Sequence, residues 1–151
     1  MMTSNLNVII HKEIDLIQSC INRMANNSFF VKGGMITLLS ALVILLTYNI
    51  EVQIIAGLTS VVVFCCWYLD GFFLKTEKLY RLKYEWVIVE RPKGNFENLY
   101  DLNPYNKAMW KNSKNTESIV RVMFTKTLIP FYALPLAIAV ASIIWAYVPL
   151  I

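Results

Sequence analysis

Three stretches of this chain are almost free of charge: Gly33 to about Ile50, Ile54 to Leu74, and about Thr127 to Val148. Some 20 apolar residues rising ~1.5 Å each cover a ~30 Å hydrocarbon core, so each stretch has roughly the length of a membrane helix. The first, 33–50, is short and draws on Phe29, Phe30 and Val31 at one interface. The second does not end where its apolar run ends. Leu79, Leu82, Trp86 and Val89 recur at steps of three and four, with Lys78, Arg81, Lys83 and Glu85 between them. Helical period therefore persists to Arg91-Pro92-Lys93-Gly94, and one continuous helix is predicted, 54–74 in lipid and 75–90 beyond it.

The remaining segments are placed around that helix. Within residues 1–32, Ile10, Ile14, Ile17, Ile21 and Met24 form a seam with a period near 3.5, with Glu13, Asp15, Gln18, Asn22 and Arg23 on the other faces. This predicts an amphipathic helix that packs either on 75–90 or against a second subunit. Asn26-Asn27-Ser28 reads as a polar elbow before the first span. The link from 49 to 53 is short enough to force an antiparallel hairpin, with Glu51 at its tip. Between 91 and 115 the period dissolves into a loop whose Phe96, Tyr100, Pro104, Tyr105 and Trp110 either tack it to neighbouring helices or line a small site. Asn115 or Thr116 can cap a helix over 116–126 that carries Ile119, Val120, Val122, Met123 and Phe124 and then runs on as the third span, 127–148. Pro130 and Pro135 are expected to kink that span, Ala133, Ala137 and Ala141 to give a small-residue face, and Trp145 and Tyr147 to mark an interface. The fold class expected is an all-α integral membrane bundle of three transmembrane helices with cytoplasmic helical extensions.

Charge adds orientation. Of the 14 Lys and Arg residues, three precede Gly33, none lies from Gly33 to Leu74, eleven lie from Lys75 to Lys126 and none follows. By the positive-inside rule the amino terminus and 75–126 are cytoplasmic and the carboxyl terminus external. Basic residues needed for topology give little reason to expect nucleic acid as a partner. No secretory signal pattern is visible.

Candidate chemistry is sparse. Cys20, Cys65 and Cys66 lack metal or disulfide spacing and read as small buried hydrophobes. His11 is the single histidine and reads as a surface or interface residue. No nucleotide-binding, zinc-protease or nucleophile-elbow motif occurs, so neither a catalytic residue, a metal site nor a cofactor is assigned, and an enzyme is not expected. Asp70 stands within an apolar run, where acids are costly and face protein or water. It lies five residues before Lys75, at the level where Lys32 and Lys126 belong, so it reads either as a structural ion pair holding the spans at one height or as a gating residue.

Asn22-Arg23-Met24, Asn26-Asn27-Ser28-Phe29 and Lys32-Gly33, then Trp67-x-Leu69-Asp70, Leu74, Glu77, Leu79-Tyr80-Arg81 and Tyr84, then Lys126-Thr127 and Phe131-Tyr132, together resemble a family of small bacterial inner-membrane proteins. Its members resemble components of antiphage defence loci near TIR-like or nucleotide-signalling proteins. The chain departs from that family at Gly33-Gly34, where a glycine-tryptophan pair is usual. The resemblance implies a homo-oligomeric effector that permeabilises the inner membrane when a partner or a nucleotide signal engages its cytoplasmic face. The alternative is a non-conducting anchor that recruits a soluble enzyme. For an anionic ligand Arg23, Lys78, Arg81 and Lys83 are the candidate contacts, with Asn22, Asn26 and Asn27 as neutral hydrogen-bonding groups.

Overall fold

A computed structural model describes residues 2–48, 50–109 and 117–147, with the side chains of 2–5, 146 and 147 left aside. Trp110, the cap expected at Asn115 or Thr116, the side chain of Tyr147 and the expected end of the last span at Val148 lie outside the described residues. The described residues are mostly helical, with no strand among them. Two long helices dominate, α1 (Met2–Leu45, 44 residues) and α2 (Val52–Glu90, 39 residues). A short α3 (Ile119–Met123) and the 19-residue α4 (Ile129–Tyr147) follow. Both α1 and α2 are long and apolar enough to cross a membrane, whereas the apolar part of α4, Ile129–Trp145, is shorter.

α2 runs unbroken over its whole length, and so does α1. The polar elbow expected at Asn26-Asn27-Ser28 is absent. Asn and Ser each cost only ~0.5 kcal/mol relative to Ala in a helix, and Gly about 1, amounts that packing overrides. Here Ser28 is buried in a hydrogen bond to Asp70, and Met35, next after Gly34, is buried as well. The first apolar run ends at a 3-10 turn, Leu46–Tyr48, before α2 begins.

The single last helix expected over 116–148 is instead two. α3 ends at Met123, and α4 starts at Ile129 after a turn in which Leu128 N and Ile129 N both donate to Thr125 O. Pro130 is the reason. It has no N–H to give to residue 126 and its ring would strike that carbonyl, whereas in the first turn of a new helix neither matters. Ser118 caps α3 by accepting from Arg121 N at 3.2 Å.

The chain forms two compact units, one of Met1–Asn26 with Phe73–Glu117, the other of Asn27–Phe72 with Ser118–Ile151. In the first, Ile17, Cys20, Ile21 and Met24 of α1 pack with Tyr80 and Val87 of α2 and Met109 of the following loop. The seam of α1 thus closes within one chain, with Ile10 and Ile14 only half-buried. On α2 the buried stripe is Leu79, Tyr80, Lys83, Val87 and then Arg91, not the predicted Leu82, Trp86 and Val89, and Val89 is exposed. In the second unit the buried residues include Met35, Ile55, Val63, Trp67, Val122, Leu128, Tyr132 and Ala139. α4 turns Tyr132 and Ala139 inward, so the expected small-residue face is not its contact: Ala137 and Ala141 are exposed. Of the cysteines Cys20 is buried, but Cys65 is exposed, which corrects its reading as a buried hydrophobe.

Candidate functional site

Asp70 is fully buried in the second unit and receives three donors. Ser28 Oγ donates to one carboxylate oxygen. Lys32 Nζ, at 2.6 Å, and Tyr132 Oη, at 2.9 Å, both reach Oδ2. Lys32 also donates to Ser28 Oγ at 2.7 Å. Ser28 and Lys32 stand one turn apart on α1, so helical spacing aims both at the same point. The cluster joins α1, α2 and α4 through one carboxylate. Lys126, expected as the third member, is exposed and takes no part in it. Its place is taken by the Tyr132 hydroxyl.

Packing around Asp70 explains why the acid can be dry. Trp67, one turn earlier, donates from Nε1 to the Met123 carbonyl at 2.9 Å and stacks on Tyr132 with centroids 6.0 Å apart. Gly71 lets α3 come close: a Cβ there would lie 2.7 Å from Met123 Cγ. Among the described residues no buried side-chain nitrogen or oxygen lacks a partner. A buried carboxylate is tolerated when it is paired and its lone pairs are filled, and this one is.

The first unit holds a second buried ionic cluster that the sequence reading missed. Glu13, placed on the outer face of α1 from its period, is fully buried, as is Arg91. Arg91 Nε and Nη2 donate to the two Glu13 oxygens at 2.8 and 2.7 Å. Its remaining donors take the carbonyls of Asn95, Glu97 and Asn98, at 2.7, 2.9 and 3.3 Å, and its guanidinium lies 5.0 Å from the Trp86 ring. Tyr100 N completes Glu13 at 3.2 Å. To make these bonds Asn98 and Tyr100 adopt φ values of 56° and 58°. Asn tolerates the left-handed region, whereas for Tyr it costs ~1–2 kcal/mol. Arginine next to a helix-ending Pro-x-Gly was the available signal, since a guanidinium there can collect the carbonyls of the turn that follows.

The predicted ligand contacts do not form one cationic face. Lys83 is fully buried, donating to Asn103 O at 3.0 Å with Asp101 at 3.8 Å, and burial pushes its pKa down. Asp101 is held below the ordinary carboxylate range, first by its hydrogen bond from Asn106, then by Asn103 N and Lys83. Lys78 pairs with Glu117 and Arg81 with Glu77. Arg23 and Asn26 are exposed; Asn27 belongs to the other unit and is half-buried. Asn22 and Arg81 do meet, across an open cleft of about 460 Å³ lined also by Gln18, Ile21, Tyr84 and Glu85. Two carboxamides, a tyrosine, and an arginine flanked by Glu77 and Glu85 suit a ligand with mixed donors and acceptors better than a polyanion. No group of three metal-ligating side chains occurs among the described residues. Comparison with protein families, curated proteins and solved structures gives no match to this chain.

Proposed function

We propose that this chain is a multi-pass protein of the bacterial inner membrane, amino terminus cytoplasmic and carboxyl terminus external, that oligomerises and permeabilises the bilayer in antiphage defence. The observation that carries its membrane placement is exposure. Within the most apolar windows of the two long helices only 6% and 22% of residues are buried, whereas the core helix of a water-soluble domain hides such a stretch. Lipid is the solvent that suits those faces, and it leaves α4, ~28 Å long for its 19 residues, to serve as a third span. Three helices cannot enclose a pore, so conduction requires several copies. The effector role rests on the family resemblance, and the trigger is a TIR-like or nucleotide-signalling partner acting on the first unit. The test is membrane potential and dye entry in bacteria expressing the chain, alone and with neighbouring genes, under phage challenge. Depolarisation that depends on the chain supports the effector, and an intact potential with cell protection retained removes it.

A second reading, a non-conducting anchor for a soluble enzyme, is favoured by one observation. The first unit is a built body, with a buried ion pair and an open mixed-polarity cleft, more than a membrane plug needs. It predicts a stable co-purifying partner and an undisturbed potential.

A further inference from the structure

The second unit contains an apolar groove of about 230 Å³ between α1, α2 and α4. Its floor is made by small or buried residues, Ala56, Ile55 and Ala139, and its rim by exposed ones, Val43, Val52 and Ile138. Thr59 and Ser142 supply its polar side-chain atoms, and the Ser142 hydroxyl already donates to the carbonyl of Ile138 at 2.9 Å. A trapped water needs two to four polar partners, and apolar cavities of ~150 Å³ stay dry and take up hydrocarbon. Water is therefore not the occupant.

Shape and position narrow the choice further. The groove shares Val52, Ile138 and Ser142 with a shallower trough that reaches Trp145, so the two are continuous. Along α4 the combined channel runs from Pro135 to Trp145, ten residues or ~15 Å at the helical rise. That is half of a ~30 Å hydrocarbon core, the depth of one leaflet. At its upper end Trp145 is 74% exposed, as suits an indole at headgroup level.

We propose that this channel binds one acyl chain of a phospholipid from the leaflet at the 45–52 hairpin, with the headgroup beside Trp145. The inference rests on the membrane placement proposed above. Hydrocarbon fills the channel by dispersion contacts that neither water nor a void supplies. Pro135, inside α4, lines the groove where the channel begins.

The full chain is reconstituted in vesicles of phosphatidylethanolamine and phosphatidylglycerol, released into mild detergent and weighed by native mass spectrometry. The wild type should carry one phospholipid per chain. Ala139→Phe fills the floor and Ser142→Phe narrows the wall; each should lower lipid occupancy about tenfold, the effect of ~1.4 kcal/mol. Val140→Phe, on the exposed face of the same helix, should leave it unchanged. Circular dichroism checks that each variant keeps its helices, and Ser142→Phe carries the test if Ala139→Phe does not fold. Lipid absent from the wild type, or retained equally by both groove variants, overturns the proposal. So does a lipid-free dimer that the groove variants dissociate, which makes the channel a subunit interface. Carbonate extraction of cell membranes separates this result from the membrane reading: a chain washed into the supernatant refutes the latter, whereas an embedded chain without bound lipid refutes only the acyl-chain site.

Discussion

Each unit of this protein buries one acid completely, and the two solve the problem differently. Glu13 meets an equally buried arginine, bidentate, with the other guanidinium donors committed to loop carbonyls. Asp70 meets a lysine that keeps 29% of its side chain exposed, together with two hydroxyls from different helices. The arginine pair organises irregular backbone; without it the Asn95 and Glu97 carbonyls lose the guanidinium, and Glu13 keeps only the Tyr100 N–H. The lysine cluster organises regular helices whose backbone needs no help. A planar fork suits the first task and a flexible ammonium with neutral donors the second.

Removing the cation sharpens the contrast most. Arg91→Met should cost ~3–5 kcal/mol, because it strands a buried carboxylate. Hydrogen exchange should then show amides 95–103 losing protection while those of 129–147 keep theirs; equal loss in both would deny the separate roles. Lys32→Met should cost less, ~1–3 kcal/mol, because Asp70 retains two hydroxyl donors. A thermal melt in detergent that ranks the two variants the other way would break the comparison. Gly71→Ala forces Cβ against Met123 and should cost ~1–3 kcal/mol, a packing effect read as loss of the Trp67 fluorescence signature relative to Ala133→Gly. Tyr132→Phe keeps the stacked ring and deletes one hydrogen bond, so ~1 kcal/mol is expected from the same melt.

The smallest expected effect is in pH. Asp101 is depressed in the folded chain, so its contribution is present above its unfolded value of ~3.9 and is lost as pH falls through the lower folded value. Lys83 is also depressed, so here too the folded state binds fewer protons and stability rises with pH up to the unfolded value of ~10.4; for a base, however, the depression is a cost carried at lower pH and relieved as the amine deprotonates. Urea titrations should therefore show an alkaline rise that Lys83→Met flattens and an acid loss that Asp101→Asn reduces.

Period and hydropathy made most helices legible. The run from Ile54 to Glu90 had no breaker, and the structure has none there either. Buried charge was what could not be read. Lys83 and Glu13 sit on inward faces, yet period analysis sorts lysine and glutamate to the outside, and only a partner distant in sequence reverses that sorting. Arg91 lies 78 residues from Glu13, and nothing local announces the pairing. The level of Asp70 was legible from the positions of Lys32 and Lys126, but choosing between Lys126 and Tyr132 required knowing that Pro130 restarts the helix. The partners of the cationic set were hidden for the same reason, since Lys78, Arg81 and Lys83 all find acids or carbonyls once folded.

The chain order of the Asp70 cluster bears on biogenesis. Ser28 and Lys32 leave the ribosome before Asp70, and Tyr132 comes 62 residues after it. If the chain enters a bilayer, a lone aspartate in a span meets an insertion barrier of up to ~3 kcal/mol, less near the end of a helix. Its countercharge is already in place on the preceding helix. α1 and α2 can therefore enter as a neutralised hairpin, and the proline-initiated α4 can dock afterwards, adding its phenol to a carboxylate that is already compensated.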